Sequence, residues 1–321
     1  MSMLFITDRI LKNLENSKDL PKKVEFDLSQ NASSNEVYFC MRSAKGKYEE
    51  LGHKSFLSML AQSPYKQILL YIHGFNNLPE DSIFDNVKSL QSYFDSVSQN
   101  FVQVIPIIWP CDNDIGIIKD YWDDQMSADM SAFAFKRAFD FFYNWSCNNK
   151  DHPCYKYINV FAHSMGNRVL RESLNAWKKY HLRDDVPRLF RNIFLVASDI
   201  RNNSLEYGNR GEIICYSGKN VTVYHANDDM AMQASKVMNS TRVKTQRLGH
   251  FGPKSMQKVP SNVYVVDCDK FNNKYDYPKG HTYFLPDKQN KNPLLEHICS
   301  MLDSGRFSQN PELRNIILSS D

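Results

Sequence analysis

In the stretch KYINVFAHSMGNRVLRESL, Ser164 stands among small residues where one pattern of apolar residues stops and another begins. Tyr157 to Phe161 reads as a short buried strand, β-rich and without polar alternation. From Asn167 onward, Val169, Leu170, Leu174 and Trp177 fall near one face of a helix. A strand that passes into a helix without a loop must bend sharply. The residues two before and two after the tip, Ala162 and Gly166, then have to be small. Such a bend thrusts the Ser164 hydroxyl outward with a helix N-terminus behind it, which is the geometry of a nucleophile elbow. A hydroxyl is too weak an acid to attack a carbonyl unaided, so a histidine must take its proton. A carboxylate must fix that imidazole, and two backbone N–H groups must face the developing oxyanion.

Other strand exits offer these parts. QILLYI runs into His73-Gly74-Phe75-Asn76-Asn77, VTVYHA ends at Asn227-Asp228-Asp229, and NVYVVDCDKF leads to Gly280-His281-Thr282-Tyr283-Phe284. The chain order is therefore serine, acid, histidine. His281 is the expected base because it follows the last of these strands, whereas His250, in RLGHFGP, precedes it. His53, His152, His181 and His297 fall in helical or polar surface contexts. His163 adjoins the serine but points elsewhere, and His73 ties down the loop that offers Phe75. The acid is Asp228 or Asp229, with Asp199 of VASDI at the previous strand exit as an alternative. Met165 and Phe75 supply the oxyanion N–H groups, and losing one such donor typically raises a barrier by about 3–4 kcal/mol. Trp109-Pro110 ends its strand at the same edge and is read as a pocket wall, a buried core tryptophan being the plainer alternative. The segment from Cys111 to Ala128 holds Tyr121, Trp122, Asp123 and Asp124 and reads as a small lid, a pocket rim or a connecting loop. Phe251-Gly252-Pro253 could line the other side.

These residues need a frame that brings strand exits together. Strands are expected at Val37 to Met41, Gln67 to Ile72, Val102 to Ile108, Tyr157 to Ala162, Asn192 to Ala197, Val221 to His225 and Val263 to Asp267. One more is expected in Leu4 to Ile6 or in Val24 to Leu28. Helices are expected at Asp81 to Val97, Ala128 to Asn144, Asn167 to Tyr180, Met230 to Met238 and Pro293 to Met301. This alternation predicts an α/β domain: one mostly parallel sheet of about eight strands, helices on both faces, and a single domain over 1–321. Ligands of such sheets sit at the carboxyl ends of the strands.

Composition narrows the class. The chain has 321 residues, of which 42% are hydrophobic and 23% charged, an ordinary globular balance. A net charge of +3 with scattered basic residues gives no reason to expect a nucleic-acid partner. Seven cysteines, an odd number without a CxxC pair, argue against a disulfide framework or a structural zinc site. No metal or organic cofactor is implied. No segment approaches the ~20 apolar residues of a membrane span, and the N-terminus lacks a secretory signal pattern. The expectation is a reduced, cytoplasmic protein without stable membrane insertion.

The chain resembles the α/β-hydrolase superfamily, and more closely a bacterial esterase/lipase-like branch of unknown function. The resemblance is carried by FITDR, LLYIHGFNN, IIWPCDNDIGIIKDYWDDQMSAD, VFAHSMGNRVL, VYHANDDMAM, RLG and GHTYF, mostly between residues 66 and 285. It implies the α/β-hydrolase fold and a serine nucleophile acting on small carboxylic esters, and it aligns Asp229 with the acid, leaving Asp228 to cap the following helix. One departure is AHSMG where G-x-S-x-G is usual; Ala162 is small enough for the bend. A non-catalytic binding or scaffold protein of the same fold, or an acyltransferase or thioesterase with the same triad, are the alternatives.

Overall fold

The computed structural model describes residues 2–12, 19–111, 117–149, 156–180, 186–232, 246–308, 310 and 312–319, with side chains of the 117–149 helix from 125 onward. Among the described residues, eleven strands form one sheet: β1 (Met3–Arg9), β2 (Lys22–Val24), β3 (Ser33–Ala44), β4 (Lys47–Glu50), β5 (Gln67–Ile72), β6 (Val102–Ile108), β7 (Tyr157–His163), β8 (Phe190–Val196), β9 (Gly218–His225), β10 (Val263–Asp267) and β11 (Asn315–Ile317). Their order is β11-β10-β9-β8-β7-β5-β6-β1-β3-β4-β2. Every neighbouring pair from β11 to β1 is parallel, and β3, β4 and β2 continue the sheet antiparallel. The sheet is mostly parallel, as expected, but has eleven strands rather than about eight, and its parallel edge strand β11 was not among those anticipated. Of the three antiparallel strands, β3 contains the expected Val37 to Met41 but is longer, and β4 was not anticipated. Of the two N-terminal alternatives, β1 covers Leu4 to Ile6, while β2 takes in only Val24 of Val24 to Leu28.

The main helices are α1 (Gly52–Gln62), α2 (Phe84–Val97), α3 (Ile117–Asn149), α4 (Gly166–Tyr180), α5 (Glu212–Ser217) and α6 (Pro293–Ser304). α1 was not among the expected elements, and α3 extends well beyond Ala128 to Asn144. The segment read as a lid, rim or connecting loop is therefore helical from Ile117. Residues 112–116 lie outside the described residues, as does the expected helix beyond Met232. None of the described helices is long and apolar enough to cross a membrane.

Alternation along the strands builds a core on each face. Ile68, Leu70 and Ile72 of β5 pack with Phe56 of α1, Phe135 of α3 and Trp177 of α4. Leu69 and Tyr71 face the other way, with Phe84 and Phe94 of α2 and Ile298 and Leu302 of α6. The chain goes from β5 to β6 on one side and then crosses to β7 on the other, so β5 and β7 are neighbours whose connections run in opposite directions. That is a topological switch point, where the strand exits leave a crevice. His73 and Ser164 are the exits on its two sides.

The opposite, amino end of the sheet holds a buried ladder of side-chain amides. Asn159 Nδ2 donates to Gln67 Oε1 at 3.2 Å, Asn192 Nδ2 to Asn159 Oδ1 at 2.9 Å, and Asn220 Nδ2 to Asn192 Oδ1 at 2.9 Å. Gln67 and Asn220 also donate to the carbonyls of Leu302 and Gly305, at 2.9 and 3.1 Å. Leu302 lies in the last turn of α6, where carbonyls lack a helical partner, and Gly305 directly follows the helix. The ladder thus pins the register of β5, β7, β8 and β9 and docks the last helix. Asn192→Ala leaves Asn159 Oδ1 without its donor, and is expected to cost about 2–3 kcal/mol. Urea unfolding should show a lower midpoint at unchanged slope; a shift below ~0.5 kcal/mol would show that the ladder contributes no stability.

Candidate active site

The bend at Ser164 has the geometry its neighbours require. Ser164 takes φ 52°, in the left-handed region that a non-glycine residue enters at a cost of about 1–3 kcal/mol. The turn is held from several sides. Its N–H donates to the Val196 carbonyl at 3.0 Å, and its carbonyl accepts from Asn167 N–H at 3.1 Å and Asp199 N–H at 3.2 Å. The buried Asn167 side chain adds bonds to the carbonyls of Ala162 and Ser164, both at 2.9 Å. A Cβ on Gly166 would fall on the backbone carbonyl oxygens of Ile72 and His73, so only glycine lets α4 start this close to β5. Ala162 is fully buried without such a conflict, consistent with alanine standing there.

His281 lies beside the bend. Its Nδ1 is 2.7 Å from Asp229 Oδ2, and Asp229 is completely buried. Its ring lies 4.7 Å from that of His163, the residue before Ser164. His163 Nε2–H donates to the His281 carbonyl at 3.2 Å, and Phe284 packs on His163 with ring centroids 4.8 Å apart. The elbow therefore also anchors the loop that carries His281. A signal for this existed in the sequence only as a histidine beside the serine. Asp276 is a further support that the sequence reading did not contain: its Oδ2 accepts from His281 N–H at 2.9 Å, Thr282 N–H at 2.7 Å and Thr282 Oγ1 at 2.8 Å. Nothing in its spacing marks a carboxylate that folds back onto a turn five residues later.

The two aspartates after β9 have different partners. Asp229 faces His281 through Oδ2, while its Oδ1 accepts from Met232 N–H at 3.0 Å. Asp228 instead accepts from the side chains of Asn272 and Asn273. The helix-capping role expected of Asp228 thus belongs to Asp229. Asp199 lies within 3.2 Å of Arg247 Nε. His250 bonds through Nε2 to the Asn227 carbonyl at 2.5 Å and so braces the turn that presents Asp229. His53 stacks on Phe141 and His297 bonds Tyr224 Oη, both away from Ser164. His152 and His181 lie outside the described residues.

On the other side of the switch point, the His73–Asn77 loop is tied to the exit of β6. His73 Nε2 accepts the Trp109 N–H at 3.2 Å, and the Trp109 indole N–H donates to the His73 carbonyl at 2.9 Å. The two rings stack 5.1 Å apart at 5°. Trp109 is wholly buried in this exchange. The side chains of Tyr121 and Trp122 lie outside the described residues. Phe251, Gly252 and Pro253 line a cavity of about 440 Å³ with His225 and Met256, in which none of Ser164, His281 and Asp229 takes part. Gly74 packs against the elbow: a Cβ there would stand 3.0 Å from Ser164 Cβ and from His163 Nδ1. Phe75 follows directly, and Met165 opens the first turn of α4, where amides lack helical partners. Among the described residues, no group of three or more His, Cys, Asp and Glu side chains could hold a metal ion.

The three histidines near the bend differ sharply in basicity. Burial pushes His73 down to about 3, and the Arg9 charge adds to this. Burial, reinforced by the charge of His281, holds His163 well below the ordinary value. Burial also works against His281, but the charge and hydrogen bond of Asp229, then Asp199 and Asp276, outweigh it and raise the group. Only His281 is thereby poised to hold a proton at moderate pH.

This sheet, crossover and elbow define an α/β hydrolase. The model of the family described as alpha/beta hydrolase of unknown function (DUF900) matches residues 49–296. The chain belongs to that family. Among solved structures, the phospholipase PlaB from Legionella pneumophila in complex with thio-NAD aligns at 13% identity and a TM-score of 0.29. The alignment covers 67% of this chain and 41% of that one, and so weak a likeness carries no argument. Comparison with curated proteins gives no match.

The raised His281 has a sign that can be checked. Its pairing stabilises the fold fully below the unfolded histidine value of about 6.5, and that stabilisation fades as pH rises through the higher folded value. Titrated by NMR, the His281 ring should change charge above pH 6.5. Asp276→Asn, which removes a nearby negative charge, should lower that midpoint; an unchanged or higher midpoint would rule out the electrostatic role of Asp276.

Proposed function

We propose that the protein is a serine hydrolase that cleaves small-molecule carboxylic esters through an acyl-enzyme. The observation that carries this reading is the 2.7 Å pair of His281 Nδ1 with buried Asp229, set beside a serine on a strained strand-to-helix bend. Ser164 Oγ attacks the ester carbonyl while His281 Nε2 takes its proton. Asp229 holds the Nδ1–H tautomer and stabilises the imidazolium that forms. The N–H groups of Phe75 and Met165 face the oxyanion, with the N-terminus of α4 adding positive potential. His281 then passes its proton to the leaving alcohol, and a water activated by the same imidazole releases the acid. Because His281 must be neutral to accept the first proton, kcat/KM should rise with pH through its raised value.

The proposed chemistry needs only side chains and backbone amides, so no cofactor enters it. We place the enzyme in the cytoplasm, where thiols persist; among the described residues, Cys40, Cys147, Cys215, Cys268 and Cys299 form no disulfide.

A fluorophosphonate probe should label the wild-type protein and fail to label Ser164→Ala or His281→Ala. Asp229→Asn should lower kcat on a short p-nitrophenyl ester on the order of 10⁴-fold, since it disturbs the tautomer while preserving shape. Labelling that persists in Ser164→Ala, or a wild type inert to both probe and esters, would overturn the assignment.

A further inference from the structure

The loop that offers Phe75 owes its shape to one side chain that the proposed reaction does not touch. Asn77 Nδ2 donates to two successive carbonyls, Phe75 O at 2.7 Å and Gly74 O at 3.2 Å. Gly74 O also faces His73 Nδ1 at 2.7 Å. In a trans peptide the N–H points opposite to the C=O. Fixing Gly74 O on the His73 and Asn77 side therefore aims the Phe75 N–H the other way. Asn76, between the clamped carbonyl and the clamp, takes φ 57°, so the loop folds back tightly.

Asn77 is itself anchored by Cys111. Its N–H donates to Cys111 Sγ at 3.4 Å, and the thiol donates to the Asn77 carbonyl at 3.0 Å. The carbonyl of Cys111 in turn accepts from the buried guanidinium of Arg9. Thr7, two residues before Arg9, donates through Oγ1 to the Ile108 carbonyl at 2.7 Å. A continuous line thus runs from the end of β1, through the exit of β6, to the oxyanion loop.

We propose that Asn77 is a positioning residue: its carboxamide, held by Cys111, sets the direction of the Phe75 N–H that receives the oxyanion. The proposal rests on the reading of Phe75 as an oxyanion donor. A donor tilted by an ångström-scale shift loses transition-state stabilisation while substrate binding is largely retained. Asn77 would therefore act on kcat rather than KM.

The test compares Asn77→Ala, Asn77→Asp, Cys111→Ala and Cys111→Ser on a short p-nitrophenyl ester and with phenylboronic acid, whose serine adduct mimics the tetrahedral oxyanion. Asn77→Ala should lower kcat and weaken boronate binding, each on the order of 10- to 100-fold, with KM within about 2-fold. Asn77→Asp keeps the shape but cannot donate, and should lose as much. Cys111→Ser, which can still donate and accept, should recover most of the loss of Cys111→Ala. Equal changes in kcat and KM, unchanged boronate binding, or an active Asn77→Asp would overturn the proposal. Hydrogen exchange of peptides spanning 73–78 separates it from the reaction. Faster exchange there in Asn77→Ala, with the rest of the protein unchanged, is expected whether or not the wild type cleaves esters. Unchanged exchange refutes the positioning role alone, whereas a wild type inert to esters and boronate refutes the hydrolase reading alone.

Discussion

The site depends on how closely the start of α4 approaches the end of β5. Gly166 lies against the backbone carbonyls of Ile72 and His73, where even a methyl group would collide. That contact forces the chain from β7 into α4 through a single turn, with Ser164 in the left-handed region. Strain of this kind persists only where the surroundings over-determine it. Here the bonds from Val196, Asp199 and the Asn167 side chain do so. The same contact sets the spacing between Ser164 and the His73–Asn77 loop, so both are fixed by one packing event.

Around this point, burial and charge divide the work among residues of one type. Three histidines lie close together, and burial disfavours the charge of each, although His281 keeps some contact with solvent. His73 and His163 have backbone partners that suit a neutral ring, so burial prevails and they remain uncharged braces. His281 meets a buried carboxylate at 2.7 Å and further negative charge from Asp199 and Asp276, so for it charge prevails over burial. The difference lies in which strand exits each ring meets, since desolvation acts on all three.

The two ends of the sheet are built for different purposes. At the amino end, the amide ladder from Gln67 to Asn220 satisfies itself and the last carbonyls of α6, and leaves little freedom in strand register. At the carboxyl end, polar groups are held by loops instead: Asn77 by Cys111, His281 by Asp276 and His163, and Asp229 by the turn that His250 braces. A rigid register below lets short loops above place side chains accurately.

The α/β class, most of the parallel strands and the chain order of Ser164, Asp229 and His281 were legible in the sequence, because each is a local or ordinal property; the short edge strand β11 was not. Buried parallel strands read as continuous apolar runs, α4 reads from its period, and a small–x–Ser–x–Gly bend reads from the sizes of Ala162 and Gly166. The antiparallel strands β2 and β4 and helix α1 were not legible, since their partly exposed, mixed patterns acquire meaning only once β1 and β3 pair. The aromatic and acidic residues of 117–128 read as lid or loop, because composition spoke louder there than the helical spacing that α3 continues. Which of two adjacent aspartates faces the histidine, whether Trp109 braces His73, and what Asp276 and Asn77 hold could be decided only in three dimensions. Those roles rest on distances between segments remote in the chain, which no local pattern encodes, and they come into being when the strand exits meet.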